Sequence, residues 1–167
     1  MPNILLGNIL SAFAAGFLIA SSLVKAPRFI YLCQCLESLF LLFAQIAFFQ
    51  LSAAICLLLS ILKNLMLIFG KYGKYSMVAL AGATALFGVL YNTGGNIGLL
   101  PVAASLFFCI GSYFAKKCIG IKSVVSINLF CWCIYSFLIC DYVSLVINLV
   151  SLILNVLFVI RYCRKEI

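Results

Sequence analysis

The side chains able to do chemistry in this chain are few, and nearly all of them interrupt long apolar stretches. Glu37 is the one carboxylate inside such a stretch, with Gln34, Ser38 and Gln45 as companions. On a helix Ser144, Asn148, Ser151 and Asn155 recur at i, i+4, i+7 and i+11 and form one polar stripe, part of which Ser60 and Asn64 repeat earlier in the chain. Asn128, Trp132 and Tyr135 share another face at i, i+4 and i+7, and Trp132 is the sole tryptophan. Such amides and hydroxyls can hydrogen-bond a polar solute, an indole can stack on a ring face, and a carboxylate can hold a cationic group or exchange a proton. Each also has a plainer use, since serine and asparagine bond helix to helix and aromatics fill cores. Catalysis fits poorly: there is no histidine, no glycine-rich phosphate loop and no cluster with metal-ligand spacing. We expect no enzyme, no metal and no cofactor.

Membrane-crossing helices must position these groups. With 67% hydrophobic and 8% charged residues, the chain lacks the polar faces that water demands. Backbone groups in hydrocarbon need internal partners, and long apolar runs without period-two alternation meet that need as helices. The runs are residues 4–23, 29–49, 52–69, 76–91, 97–115, 124–140 and 143–160, an all-α integral membrane protein of seven spans, the fourth being the shortest. Ten of the eleven basic residues fall in alternate gaps: Lys25 with Arg28, Lys71 with Lys74, Lys116 and Lys117 with Lys122, and Arg161, Arg164 and Lys165. The gaps at 1–3, 50–51, 92–96 and 141–142 hold none. An outward N-terminus and a cytoplasmic C-terminus are therefore predicted. The net charge of +8 is accounted for by topology and by contact with anionic membrane lipid, so no nucleic-acid partner is expected. No basic segment precedes the first run, which is expected to be retained as a helix and not cleaved as a signal.

The nine cysteines include the C-x-C pairs Cys33/Cys35 and Cys131/Cys133, whose side chains point about 200° apart on a helix and do not share a ligand geometry easily. Small apolar packing residues are the expected role. Lys63, the eleventh basic residue, lies about 9 Å and Glu37 about 12 Å from the basic ends of consecutive antiparallel helices. An ion pair between them is plausible, the alternative being a snorkelling lysine beside a protonated acid.

Sliding the sequence by 91 residues lays Gly7 on Gly98, Ser21 on Ser112, Lys25 on Lys116, Ser60 on Ser151, Asn64 on Asn155 and Lys74 on Lys165 without a gap. This predicts two like-oriented three-helix repeats, residues 1–74 and 93–167, joined by an inverting linker helix at 75–92. Parallel repeats of this kind place a solute site near the midplane between them.

The stretches TGGNIGLLPVAAS (93–105), NLFCWCIYSF (128–137) and LILNVLFVIRY (152–162) resemble the YgjV family of bacterial inner-membrane proteins, along most of the chain. That family is similar to the SWEET sugar facilitators and the PnuC vitamin-precursor transporters, which share the 3+1+3 plan. The resemblance implies a bacterial inner-membrane location and a small-molecule facilitator for a neutral or weakly polar solute, with Asn64 and Asn155 as its ligands. Around them Trp132, Asn128, Tyr135, Ser60, Ser151, Asn148 and Glu37 complete the expected site. The competing expectation is a non-transporting membrane component whose polar stripe is consumed by helix-to-helix bonds.

Overall fold

The computed structural model describes residues 3–165, the side chain of Lys165 excepted, so Met1 and Pro2 of the N-terminal gap lie outside the described residues. The elements are α1 (Ile4–Leu23), α2 (Pro27–Ala47), α3 (Leu51–Ile68), α4 (Lys74–Leu90), α5 (Gly95–Phe114), α6 (Cys118–Leu138) and α7 (Tyr142–Lys165). Six of these helices are long and apolar enough to cross a membrane, and α4 is a shorter apolar helix of 17 residues. Two boundaries differ from the sequence reading by more than two residues. α6 begins at Cys118 instead of 124, and α7 continues to Lys165 instead of stopping at 160. Lysine and arginine are good helix formers, so a basic residue marks where a helix leaves hydrocarbon and need not end it.

Packing runs from α1 to α2, α2 to α3, α3 to α5, α5 to α6, α6 to α7, and from α7 back to α1. Six helices thus close a circuit, and α4 stands outside it against α3 and α5. Large apolar side chains such as Phe13, Leu62 and Ile153 face outward, whereas Ser11, Gln34, Gln45, Asn64, Asn148 and Ser151 are buried. Lipid offers apolar contact but no hydrogen bonds, so polar side chains turn toward the interior.

The α2–α3 and α6–α7 hairpins close in the same way. Phe49 (φ 59°) and Cys140 (φ 61°) adopt the left-handed conformation. The next residue in each turn donates its N–H back across the helix end, Gln50 to the Gln45 carbonyl at 2.9 Å and Asp141 to the Ser136 carbonyl at 3.0 Å. These bonds satisfy carbonyls that a helix terminus leaves open. Asp141 then caps α7 by accepting the Ser144 N–H, and it also accepts the Ser11 hydroxyl of α1 at 3.0 Å. Burial pushes its carboxyl above the usual carboxylate range, while the bonds from Ser144 and Ser11 pull it down. Two close approaches need glycine: a side chain at Gly7 would meet the Phe48 ring, and one at Gly98 would meet Asn92 and Ser52. The second approach lets the Ser52 hydroxyl donate to the Gly98 carbonyl at 3.1 Å, tying α3 to α5.

Candidate functional site

All six helices of the circuit line a cavity of about 30 Å³, and four of them bring polar side chains to it. α2 supplies Gln34, Glu37 and Ser38, α3 supplies Ser60, α6 supplies Asn128 and Trp132, and α7 supplies Asn148. Phe108 of α5 and Leu18 of α1 complete the wall. α2 and α6 are not neighbours in the circuit, so a cavity they share lies in its interior. The volume admits about two waters and falls far short of the 300 Å³ or so of a typical ligand pocket. A smaller void of about 10 Å³ adjoins it between α1, α2 and α7, with Glu37 and Asn148 common to both.

Two wider spaces lie at opposite ends of the bundle. One, of about 200 Å³, is lined by Ile4, Phe48, Gln50, Gly94, Ile97 and Leu138 at the end free of basic residues. The other, of about 210 Å³, is lined by Tyr31, Leu67, Tyr72, Ser112, Lys116 and Ile121 at the basic end.

Of the residues expected to form a site, Glu37, Ser60, Asn128, Trp132 and Asn148 meet at the central cavity, and Asn64, Asn155, Ser151 and Tyr135 do not line it. Tyr135 is fully buried one turn further along α6, edge-on to Trp132, and donates its hydroxyl to Gln45 Oε1 at 3.0 Å. The α7 stripe therefore splits by use. Asn148 faces the cavity, Ser144 and Ser151 have hydroxyls without a partner, and Asn155 is bonded on both sides of its amide. Asn155 Nδ2 donates to Ser22 Oγ at 3.1 Å and to the Ser151 carbonyl at 2.9 Å, while its Oδ1 accepts from Lys122 Nζ at 3.3 Å.

Lys122 is the residue that sequence reasoning misplaced. Read as part of a basic gap, it sits in the second turn of α6, 1% exposed, and donates to the Ser21 and Ser22 carbonyls at the end of α1. A cation near the start of its own helix is unfavourable to that dipole, but here it reaches the C-terminus of another helix, where positive charge and free carbonyls coincide. The available signal was its distance from Lys116 and Lys117, which carries it past the loop.

The Glu37–Lys63 ion pair does not form. Lys63 Nζ is buried with no hydrogen-bond partner and sits 2.9 Å from the centre of the Phe108 ring. A cation over an aromatic face is stabilised by the ring quadrupole, which here takes the place of the expected carboxylate. Asn64, 0% exposed, leaves both its amide oxygen and its nitrogen without partners. Among the described residues all nine cysteines are free thiols, with Cys56, Cys109 and Cys133 buried in the packing.

A lipid-facing helical bundle with a polar cavity on its axis defines a multispanning membrane protein. Its family is also fixed: residues 5–166 match Imp-YgjV, described as bacterial inner membrane protein, so the chain belongs to that family and resides in the bacterial inner membrane. Nothing matches among the curated proteins or among the solved structures.

Proposed function

We propose that the chain is a facilitator for a small neutral or weakly polar solute, with its central site on the bundle axis between two like-oriented repeats. The repeats are residues 1–74 and 93–167, related by an axis along the membrane normal. Residues 75–92 form the fourth, linking span, and the N-terminus faces outward with the C-terminus in the cytoplasm. One observation carries this reading: ten of the thirteen residues of the cavity wall form five pairs 91 positions apart. Gln34 and Val125, Glu37 and Asn128, Ser38 and Leu129, Leu41 and Trp132, and Leu57 and Asn148 are such pairs, and both members of each line it. The circuit supports the same axis, because exchanging α1, α2, α3 with α5, α6, α7 maps its contacts onto one another. The two matching turns at Phe49 and Cys140 are again 91 apart.

A narrow middle between two wider ends is the shape of an occluded path. Rocking of one repeat against the other would open the middle to each end in turn. Trp132 would stack the solute, and Asn128, Asn148, Ser60 and Glu37 would hydrogen-bond it. Asn155 serves as a fixed joint, and Asn64, with no partner, is free to take one as the seam moves.

The test is a thermal-shift screen of the purified protein against sugars, nucleosides and vitamin precursors, then uptake of the stabilising solute into proteoliposomes. Trp132→Leu is expected to cut uptake about tenfold, the worth of one aromatic contact near 1.4 kcal/mol, with insertion unchanged. Undiminished uptake in that variant would remove the cavity from the path. Cysteines placed at Lys25 and Lys71, with exposed Cys140 and Cys163 replaced, should label from the same side of the membrane; labelling from opposite sides would overturn the repeat.

A further inference from the structure

We infer that the acidic corner of the central cavity is a binding site for one desolvated monovalent cation, held by Glu37, Gln34 and Asn128. This rests on the axial cavity being the site and not on transport, because a stationary protein can bind a cation as well. Glu37 is the sole carboxylate lining the cavity, and no lysine or arginine lines it. Among the described residues Glu37 has no hydrogen-bond or ion-pair partner. Its nearest candidate in sequence, Lys63, is engaged with the Phe108 ring.

Two further oxygens in the same wall are unserved. Gln34 is 4% exposed and Asn128 half-buried, and Gln34 Oε1 and Asn128 Oδ1 both lack a donor. A proton on Glu37 would supply a single donor and leave one amide oxygen unmet. With the two amides turned so that their oxygens, now closed to water, face the cavity, one cation would serve the carboxylate and both amide oxygens at once.

The donor set specifies the cation. Carboxylate and amide oxygens are hard ligands, suited to hard cations. One carboxylate balances a single positive charge, whereas a divalent ion would leave an uncompensated net charge inside the membrane. Room for about two waters excludes a hydrated ion and admits a bare one of about water's size. Sodium and ammonium both meet these terms, and the Trp132 ring in the same wall would add to the attraction for either.

The experiment measures the unfolding midpoint of the purified protein in chloride salts of sodium, ammonium, potassium and choline at equal ionic strength. Sodium or ammonium is expected to raise the midpoint over choline by about 3 °C when present at about ten times its dissociation constant. The rise should vanish in Glu37→Gln and need at least about tenfold more cation in Gln34→Leu and in Asn128→Leu, as expected for one lost ligand. If Glu37→Gln does not fold, the two amide variants decide. Lys63→Met should keep the rise, and a rise that appears only in that variant would give Glu37 to the lysine in the native chain and end the proposal. Equal midpoints in all four salts would mean that the cavity holds only water, and a rise preserved in Glu37→Gln would put the cation elsewhere. Either outcome overturns the site while leaving solute uptake, measured separately, to judge the transport reading.

Discussion

Asn64 on α3 and Asn155 on α7 stand 91 residues apart, are buried to the same degree, and each has a buried lysine for company. Both ends of the Asn155 amide are answered: Lys122 from α6 and Ser22 from α1 join it, so three helices are clamped at the basic end of the α1–α7 seam. Around Asn64 nothing is answered, and Lys63 rests on the Phe108 ring of α5 at the other seam. An unpartnered buried amide or ammonium costs about 1–3 kcal/mol or more, so two seams with similar residues differ in strength. The α1–α7 seam is thus bonded at its basic end, and the α3–α5 seam, tied by Ser52 to Gly98, keeps unspent hydrogen-bonding capacity beside Lys63 inside the membrane. A bundle that rocks would hinge at the first and part at the second.

The comparison breaks most sharply at the two lysines. Lys122→Met should lower stability by about 2–3 kcal/mol, because two α1 carbonyls and Asn155 Oδ1 lose their donor. Lys63→Met should instead raise it by about 1 kcal/mol or more, since it removes a buried charge that no hydrogen bond answers. Reversible unfolding in mixed micelles reads both, and losses of equal size would erase the distinction between the seams. The asparagines sharpen it with a smaller effect: Asn155→Leu should cost about 1–2 kcal/mol, while Asn64→Leu is neutral or stabilising in the same assay. A cost for Asn64→Leu matching that of Asn155→Leu would show that the first seam is also bonded. The smallest effect concerns the turns, where the two halves agree. Phe49→Gly and Cys140→Gly should each gain up to about 1 kcal/mol by relieving the left-handed conformation, and Gly70→Ala, at φ 69°, should lose a similar amount. A gain at only one of the two turns, read as unfolding midpoint, would mean that they are not equivalent.

Much of this was legible in the chain. The apolar runs gave the helices, and five of the nine expected site residues meet at the cavity, but of the offset pairs Ser60/Ser151 and Asn64/Asn155 only Ser60 lines its wall. Asn155 and Tyr135 were legible as buried polar groups but not as joints, because their partners, Lys122, Ser22 and Gln45, come from helices far away in sequence. Lys122 and Lys63 were both misjudged for one reason. Spacing along a helix gives depth, and it does not say which neighbour a long flexible side chain will reach.

The sequence by itself determined the solvent of this protein and its family, along with the number and order of its apolar helices. Hydropathy and charge act between each residue and its surroundings, lipid or water, and so can be summed along the chain. Tertiary structure alone decided which buried polar groups are answered and which are left open, and how little room remains at the centre. Those are properties of pairs and of packing, set only when six helices close on one another.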